Sequence, residues 1–310
     1  MPLLEVDGLI KTFPGGVRAV DGVSFALDAG ETLALVGESG CGKTTIGKLV
    51  MRLIEPDAGR IVLDGIDLTQ LGQRALKPHR AKLQMVFQDA FAALNPRESV
   101  GVAIARPLRV AGHDRAASRA EARRLAERVG LAADALDRFP HEFSGGQRQR
   151  IVIARALALK PKLLVCDEPV SSLDVSVRAQ VINLLRDLQR ELGLALLFIS
   201  HDLSLVRRIA DRVAVVYLGR TVELADRRSL WASYKHPYTE ALVAAVPLPD
   251  PARTRARRRL PLIGEPPSPA NPPPGCRFHP RCPKAEARCQ SEAPAWREVR
   301  PKHWAACHFA

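Results

Sequence analysis

The chain has 310 residues, of which 46 are Lys or Arg and 33 are Asp or Glu, so its formal net charge is +13. A content of 46% hydrophobic and 25% charged residues is ordinary for a globular protein and excludes intrinsic disorder. No apolar run approaches the ~18 residues that span a bilayer, and no basic segment precedes an apolar block at the N-terminus. We therefore expect a cytoplasmic protein of one or two domains with an anionic partner: a nucleotide, a nucleic acid or a lipid head group.

The first predicted elements form an antiparallel β-layer from residues 3–13, 20–27 and 61–63, which are separated by turns that contain Gly and Asp. From residue 33 onward, short apolar and β-branched runs alternate with helical patterns. This alternation is typical of an α/β core whose mainly parallel sheet is covered on both faces. The predicted buried strands are residues 33–36, 83–87, 163–165, 194–199 and 213–217.

The strand signal disappears between about residues 95 and 159, where helical segments follow one another. Residues 116–129, rich in Ala, Arg, Glu and Leu, form the clearest predicted helix. We expect a helical subdomain, about residues 90–160, inserted between two strands of a main domain that spans residues 1–246.

The composition changes again after residue 246. Ten of the 28 residues in 247–274 are proline, and residues 253–259 contain five arginines, so an extended Pro/Arg-rich linker is predicted. The remaining segment, residues 275–310, is too short to build its own apolar core and is expected to need a covalent cross-link or a bound metal to stabilise it. Four of the six cysteines lie in this segment, and in a reducing compartment such a cluster favours a metal site over a disulfide framework.

Residues 37–44 fit the pattern G-x-x-x-x-G-K-[ST] and lie between a predicted strand and a predicted helix. In such a loop the backbone N–H groups surround phosphates, and the helix N-terminus adds partial positive charge. We expect Lys43 to bind the β- and γ-phosphates and the Thr44 hydroxyl to ligate Mg²⁺. The expected nucleotide contacts in this phosphate loop are Gly37, Glu38, Ser39, Gly40, Cys41, Gly42, Lys43, Thr44 and Thr45.

Two carboxylates follow the predicted strand 163–165. On their own, such paired acids could equally be a strand cap. Combined with the phosphate loop, they suggest that Asp167 holds the Mg²⁺ shell and that Glu168 orients and deprotonates an attacking water. The alternation of strands and helices predicts that both elements meet at the carboxyl edge of one sheet.

A second candidate anion site precedes a predicted helix and consists of Ser144, Gly145, Gly146 and Gln147. Ser144 could simply be an N-cap, or it could bind a γ-phosphate together with glycine N–H groups at the helix N-terminus. Because this motif lies within the helical segment, far along the chain from Lys43, we expect it to reach the phosphate loop of a second subunit.

In their order along the chain, the phosphate loop, Ser144–Gln147, the Asp167–Glu168 pair, residues 171–174 and residues 200–202 resemble the motifs of the ATP-binding cassette ATPases. Further matches make nearly the whole chain similar to the oligopeptide/dipeptide importer ATPases. These matches are residues 20–25, 84–89, 94–97, 140–150 and 235–238, together with the C-terminal Cys segment. Ala90 departs from the family pattern, which usually has Pro there. The resemblance implies an ABC-type P-loop NTPase core with an antiparallel β-layer, an inserted helical subdomain and a small Cys-rich metal-binding segment.

The resemblance also implies roles for four further residues. Phe13 would stack on adenine, and Gln88 would contact Mg²⁺ or the attacking water. His201 would contact the γ-phosphate, and Asp174 would cross a dimer interface. Without the resemblance, Phe13 could equally be a core residue and His201 a turn residue.

The implied assembly is a head-to-tail heterodimer with a homologous ATPase subunit. In it, two ATP molecules lie between the phosphate loop of one subunit and the signature residues, Ser144–Gln147, of the other. Two transmembrane permease subunits, and through them a solute-binding protein, are implied partners, and the peptide itself would not contact this chain. The implied function is ATP hydrolysis that powers di- or oligopeptide import at the cytoplasmic face of the membrane. Nickel, glutathione or another small solute remains an alternative cargo.

Two hypotheses of another class remain open. The charge of +13 and the arginine run could serve a cassette ATPase that acts on nucleic acid or ribosomes. The single cassette and the lack of a long coiled coil in the sequence argue against that hypothesis. In the second hypothesis the Cys segment is a redox- or metal-sensing regulatory module.

The four C-terminal cysteines are Cys276, Cys282, Cys289 and Cys307. Their spacing matches neither a zinc ribbon nor a compact ferredoxin run, so it says only that four soft ligands could converge. Zn²⁺ suits four thiolates, and one of them could be replaced by a histidine at position 279, 303 or 308. The resemblance to the importer family's C-terminal segment implies a [4Fe–4S] cluster instead.

Overall fold

The computed structural model of the chain describes residues 1–246 and 264–310, which form two compact units. The first unit consists of Met1–Gln70 and the described part of Phe198–Ala310, and the second consists of Leu71–Leu197. Most of the predicted linker, residues 247–263 with the arginine run at 253–259, lies outside the described residues.

One sheet of the first unit is the predicted antiparallel layer. Its strands are β1 (Leu4–Phe13), β2 (Val17–Leu27), β4 (Ala58–Leu63) and β5 (Ile66–Asp67), in the order β2-β1-β4-β5. The pairs β1–β2, β1–β4 and β4–β5 are antiparallel. The sequence predicted three of these strands, and β5, only two residues long, is too short to give an alternation pattern.

The second sheet of this unit carries the parallel core. Its strands β3 (Thr32–Val36) and β9 (Arg212–Tyr217) are parallel, and every residue of β3 is buried. β10 (Arg220–Asp226), β12 (His303–Ala305) and β11 (Arg297–Arg300) extend the sheet from β9 as antiparallel strands. The helices of the unit are α1 (Lys43–Val50), α7 (Leu203–Ile209), α8 (Arg227–Ala232), α9 (Pro237–Ala244) and α10 (Ala287–Ser291).

The second unit combines a pair of strands with the predicted helices. β6 (Leu83–Val86) and β7 (Leu163–Asp167) are parallel neighbours, as their apolar sequences predict. The prediction of successive helices is confirmed, since α3 (Val100–Val110), α4 (Arg115–Arg128) and α5 (Gly145–Leu157) cover most of residues 95–159. The remaining helices are α2 (Gln73–Leu76) and α6 (Val175–Leu192), and β8 (Ala195–Ser200) divides its residues between the two units.

The C-terminal segment draws its apolar core from the main body of the first unit. Strand β12 pairs with β10, where Trp304 lies opposite Leu224. Phe278 is 1% exposed and packs against the rings of Tyr217 and Tyr238, with centroid distances of 5.3 and 5.4 Å. The length of the segment alone does not predict this shared core.

A buried carboxylate links the segment to α9. Glu223, on β10, is 0% exposed and accepts hydrogen bonds from the backbone N–H groups of Lys235 and His236. Its Oε1 atom also lies 2.7 Å from Nε2 of His303, the first residue of β12. These contacts satisfy a carboxylate that would be costly to bury alone, and they fix the start of α9 next to the C-terminal strands. In the described ranges, no helix is long and apolar enough to cross a lipid bilayer.

Candidate nucleotide site

The phosphate loop lies between β3 and α1, where the sequence placed it. Gly42 caps the N-terminus of α1 with a φ of 106°, a conformation that L side chains rarely adopt. A Cβ atom at this position would lie 2.1 Å from the backbone oxygen of Ala19. The last glycine of the pattern is therefore required both by its backbone conformation and by the neighbouring strand.

Lys43, the first residue of α1, is buried and held by its own loop. Its Nζ atom donates to the carbonyl oxygens of Gly37 at 2.9 Å and Glu38 at 2.8 Å. Nζ also lies 3.6 Å from Sγ of Cys41, whose thiol pKa is raised by burial despite the nearby ammonium. These contacts fix the charged end of Lys43 inside the curve of the loop.

The outer side of the loop faces a cavity of about 470 Å³. Ser39 and Gly40 are exposed there, and Thr44 and Thr45 are half-buried. The cavity is lined by residues 38–41, 217–218 and 265–269. The loop therefore has open space on the side of residues 38–41.

Two further predicted contacts belong to the same unit. Phe13 ends β1, and its ring is half-buried, with Nζ of Lys11 6.0 Å from the ring centroid. His201 follows β8 and is exposed. The next residue, Asp202, caps α7 by accepting the N–H groups of Ser204 and Leu205.

The second unit brings Gln88 and Glu168 together. Gln88 follows β6, and its Nε2 donates to Oε2 of Glu168 at 3.2 Å. Glu168 directly follows β7 and has a φ of 46°, in the left-handed region. Such backbone strain in a residue other than glycine is often found at functional sites. The residue predicted to be the base thus contacts the residue predicted to contact the attacking water.

Asp167, the last residue of β7, is 4% exposed. The carbonyl oxygen of Glu168 accepts both the N–H and the hydroxyl of Ser171, which ties the following turn to the pair. Asp174 ends this turn, is exposed and caps α6 without a side-chain hydrogen bond. Its carboxylate therefore faces solvent at the start of α6.

The signature residues form the N-terminus of α5, and the N-cap interpretation of Ser144 is confirmed. Oγ of Ser144 accepts the N–H of Gln147 at 3.3 Å, and Oε1 of Gln147 accepts the N–H of Ser144 at 3.0 Å. Ser144, Gly145 and Gln147 are exposed, whereas Gly146 is buried. A Cβ atom on Gly146 would lie 2.3 Å from Cγ1 of Val177, so this glycine also allows α5 to pack closely against α6.

The predicted site residues thus divide between the units. The phosphate loop, Phe13 and His201 belong to the first unit, and Gln88, Ser144–Gln147, Asp167, Glu168 and Asp174 belong to the second. Between two separate motifs, the structure adds a direct contact of Gln88 with Glu168.

Sequence reasoning missed the residues that support Glu38. The hydroxyl of Tyr238 accepts the N–H of Glu38 at 2.8 Å. The guanidinium of Arg281 binds both carboxylate oxygens of Glu38, at 2.7 and 2.9 Å. Tyr238 belongs to the family match at residues 235–238, which predicts no chemical role for it. Arg281 precedes Cys282 without any sequence pattern that marks it.

The four C-terminal cysteines are free thiols in the structure. Burial is the main cause that raises the pKa of Cys276 to about 11, and the nearby thiols of Cys289, Cys307 and Cys282 add to the increase. Within residues 1–246 and 264–310, however, no three His, Cys, Asp or Glu side chains lie in an arrangement that could hold a metal ion. In their present orientations, the side chains of the described residues therefore do not form the predicted metal site.

Comparisons with known proteins agree with these motifs. The family described as ABC transporter matches residues 20–171, and the oligopeptide/dipeptide transporter C-terminal region matches residues 222–289. A Sinorhizobium fredii protein named "Probable peptide ABC transporter ATP-binding protein" is 52% identical over 99% of this chain and 89% of its own length. The oligopeptide transport ATP-binding protein AppF of Bacillus subtilis is 51% identical over 97% of this chain and 92% of its own length.

Solved structures support the same fold. The cbiO1 protein of Clostridium perfringens, part of an ABC transporter complex, has a TM-score of 0.69 and 27% identity, covering 75% of this chain and 91% of its own. The cassette MJ0796, solved as a dimer with ADP and phosphate, has a TM-score of 0.66 and 26% identity, covering 73% of this chain and 99% of its own.

The fold and motifs define a P-loop ATPase of the ATP-binding cassette class, an ATP-hydrolysing enzyme. Within that class, the chain belongs to the family of ABC transporter ATP-binding subunits that carry the oligopeptide/dipeptide transporter C-terminal region.

Proposed function

We propose that this chain is the subunit that hydrolyses ATP to power the import of di- or oligopeptides through a membrane ABC transporter. The observation that carries the proposal is a complete set of nucleotide motifs, from the phosphate loop to the contact between Gln88 and Glu168. This set occurs on a chain about half identical to relatives named for peptide transport.

At the nucleotide, Lys43 and the loop N–H groups bind the β- and γ-phosphates, and Phe13 stacks on the adenine. Glu168 accepts a proton from the attacking water, which Gln88 helps to orient. His201 contacts the γ-phosphate. The side chain of Phe13 is half-buried and that of His201 is exposed, which suits contact with a ligand better than a core role.

The oxygen donors of Thr44, Gln88 and Asp167 suit Mg²⁺, which prefers oxygen ligands. Asp167 is a nearly buried carboxylate at a strand end, the kind of group that is stabilised by a cation. When bound, Mg²⁺ neutralises negative charge on the phosphate oxygens.

The site is completed by a second subunit. Ser144, Gly145 and Gln147 expose the N-terminus of a 13-residue helix, which suits contact with the γ-phosphate of an ATP held by a partner. The exposed carboxylate of Asp174 lies at the start of α6 and is assigned to the same interface. The partner is a homologous but non-identical ATPase. The pair binds two permease subunits at the cytoplasmic face of the membrane, and a solute-binding protein delivers the peptide to the permease from the opposite face.

The chain is proposed to divide into a nucleotide-binding domain at residues 1–246, a linker at 247–274 and a Cys-rich segment at 275–310. The helical subdomain of the first of these covers about residues 90–160. The run of three helices α3, α4 and α5 supports that placement.

The Cys segment is proposed to bind a [4Fe–4S] cluster. Support comes from two observations. The other three thiols lie near enough to Cys276 to add to its raised pKa, and the N–H of Cys276 donates a hydrogen bond to the carbonyl of Cys289. Four thiolates also suit Zn²⁺, so the metal has to be measured. Since the thiols do not form a ready site, binding requires the side chains to turn toward a common centre.

We expect protein prepared without oxygen to contain iron and acid-labile sulfide in similar amounts. Cys282→Ser should lower both, because it removes one thiolate ligand, while Cys166→Ser provides a matched control in a buried cysteine outside the segment. Elemental analysis and a sulfide assay make the measurement. Stoichiometric zinc without labile sulfide would contradict the iron assignment, and metal-free protein would contradict the site itself.

The transport proposal is tested with vesicles that contain this chain, its ATPase partner and the permease subunits. Uptake of a labelled peptide that depends on ATP and on a solute-binding protein is the expected result. Uptake of nickel or glutathione with no peptide uptake would reassign the cargo. Salt-sensitive binding of DNA or RNA that stimulates ATP turnover in the absence of the permease would instead support the nucleic-acid hypothesis.

A further inference from the structure

An arginine of the Cys segment forms a bidentate ion pair with a carboxylate of the phosphate loop. Nη1 and Nη2 of Arg281 donate to the two carboxylate oxygens of Glu38, at 2.7 and 2.9 Å. The Arg281 side chain is only 4% exposed and that of Glu38 is 26% exposed. Two parallel hydrogen bonds fix the carboxylate in both position and plane, which a single contact cannot do.

The backbone of Glu38 also forms two hydrogen bonds with side chains. Its N–H donates to the hydroxyl of Tyr238 at 2.8 Å, and its carbonyl oxygen accepts Nζ of Lys43 at 2.8 Å. A displacement of Glu38 would therefore move one of the two carbonyl groups that hold the Lys43 ammonium. The carboxylate, the N–H and the carbonyl of a single loop residue thus connect Arg281 to Lys43.

The support behind Arg281 is rigid. Its guanidinium lies 5.9 Å from the ring centroid of Tyr217, and that ring packs against Tyr238 at 4.7 Å and Phe278 at 5.3 Å. Tyr217 and Phe278 are each 1% exposed, and Tyr238 is 0% exposed. Buried aromatic rings in mutual contact leave the guanidinium little freedom to follow a moving carboxylate.

We propose that Arg281 is a positioning residue for ATP binding, which holds Glu38 so that Lys43 and the loop amides keep the arrangement that receives the phosphates. This inference rests on the proposed nucleotide site. Its consequence is that the C-terminal segment is part of the ATP site of its own chain, in addition to any metal that it binds.

The test compares ATP affinity in purified full-length variants, measured by equilibrium titration, with thermal unfolding of the same samples. We expect Arg281→Gln to weaken ATP binding about tenfold, because the hydrogen bonds of a charged pair are lost. The KM for ATP should rise more than kcat falls. The double variant Glu38→Gln/Arg281→Gln should bind ATP no more weakly than Arg281→Gln, because the two residues act as one unit.

Arg277→Gln is the matched control. Arg277 belongs to the same segment and its side chain is 9% exposed. It pairs with Asp21 and donates to the backbone oxygen of Leu218, and both of these partners lie outside the phosphate loop. This variant should unfold at a lower temperature and still bind ATP like the wild type. If Arg281→Gln does not fold, Arg281→Lys replaces it in the test. Lysine keeps the positive charge but cannot form two parallel hydrogen bonds, so this variant should bind ATP more weakly than the wild type, by less than the tenfold expected for Arg281→Gln.

Two results would overturn the inference and leave the proposed function in place: wild-type ATP affinity in both Arg281 variants, or an equal loss of affinity in Arg277→Gln. Failure of the wild-type chain to bind ATP would overturn the proposed function itself. The two failures are therefore distinguishable in the same titration series.

Discussion

Replacing Glu168 by Gln is expected to leave ATP binding intact and to lower ATP hydrolysis by about 10²- to 10⁴-fold, the range that general base catalysis contributes. The amide oxygen at position 168 can still accept the hydrogen bond from Nε2 of Gln88, so the local geometry is retained. It cannot accept the proton of the attacking water. ATP should therefore remain uncleaved, and an ATP-bound dimer should accumulate on size-exclusion chromatography.

Glu191→Gln is a suitable control for this variant. Glu191 belongs to the same unit, and its carboxylate pairs with Arg128 at the surface. Removal of that exposed pair should leave hydrolysis unchanged, since surface ion pairs contribute little. Glu168→Gln protein that turned over ATP at half the wild-type rate or faster would show that the base is another group.

Replacing Lys43 by Ala is expected to weaken ATP binding roughly 10- to 100-fold, because the hydrogen bonds from a charged donor to the phosphates are lost. The structure adds a second cause. Nζ of Lys43 links the carbonyls of Gly37 and Glu38, so its removal also loosens the loop. Equilibrium titration with ATP measures both effects together.

Lys48→Ala separates these effects from a general loss of positive charge. Lys48 is an exposed residue in the last turn of the same helix, α1. Its variant should bind ATP like the wild type. Equal affinities for Lys43→Ala and Glu168→Gln would mean that binding and catalysis are not divided between these residues as proposed.

The parallel strands and the phosphate loop could be predicted from the sequence because their signals are local. The strands β3, β7, β8 and β9 are runs of buried apolar residues, and the loop has fixed spacing between its glycines and Lys43. The N-cap interpretation of Ser144 is one of two that the sequence leaves open. The structure shows that it too is a local feature, since Gln147, which completes the capping box, is only three positions away.

Contacts between residues distant in sequence could not be predicted. The pair Glu38–Arg281 joins positions that are 243 residues apart, and Glu223 and His303 are 80 residues apart. Neither pair has a sequence pattern. The short strands β11 and β12 were missed for a similar reason, because β12 forms by pairing with β10, and β11 forms by pairing with β12. The metal site was inferred from cysteine content and resemblance, neither of which determines how four side chains point.

We propose that this chain hydrolyses ATP at a site that a partner ATPase completes and a permease controls. The most direct test is the rate of phosphate release from the purified complex with its permease and second ATPase, compared with the isolated chain at the same concentration. We predict slow hydrolysis by the isolated chain, a several-fold faster rate in the complex, and a further increase when solute-loaded binding protein is added. Full activity of the isolated chain, independent of its concentration and unchanged by the complex, would contradict the account.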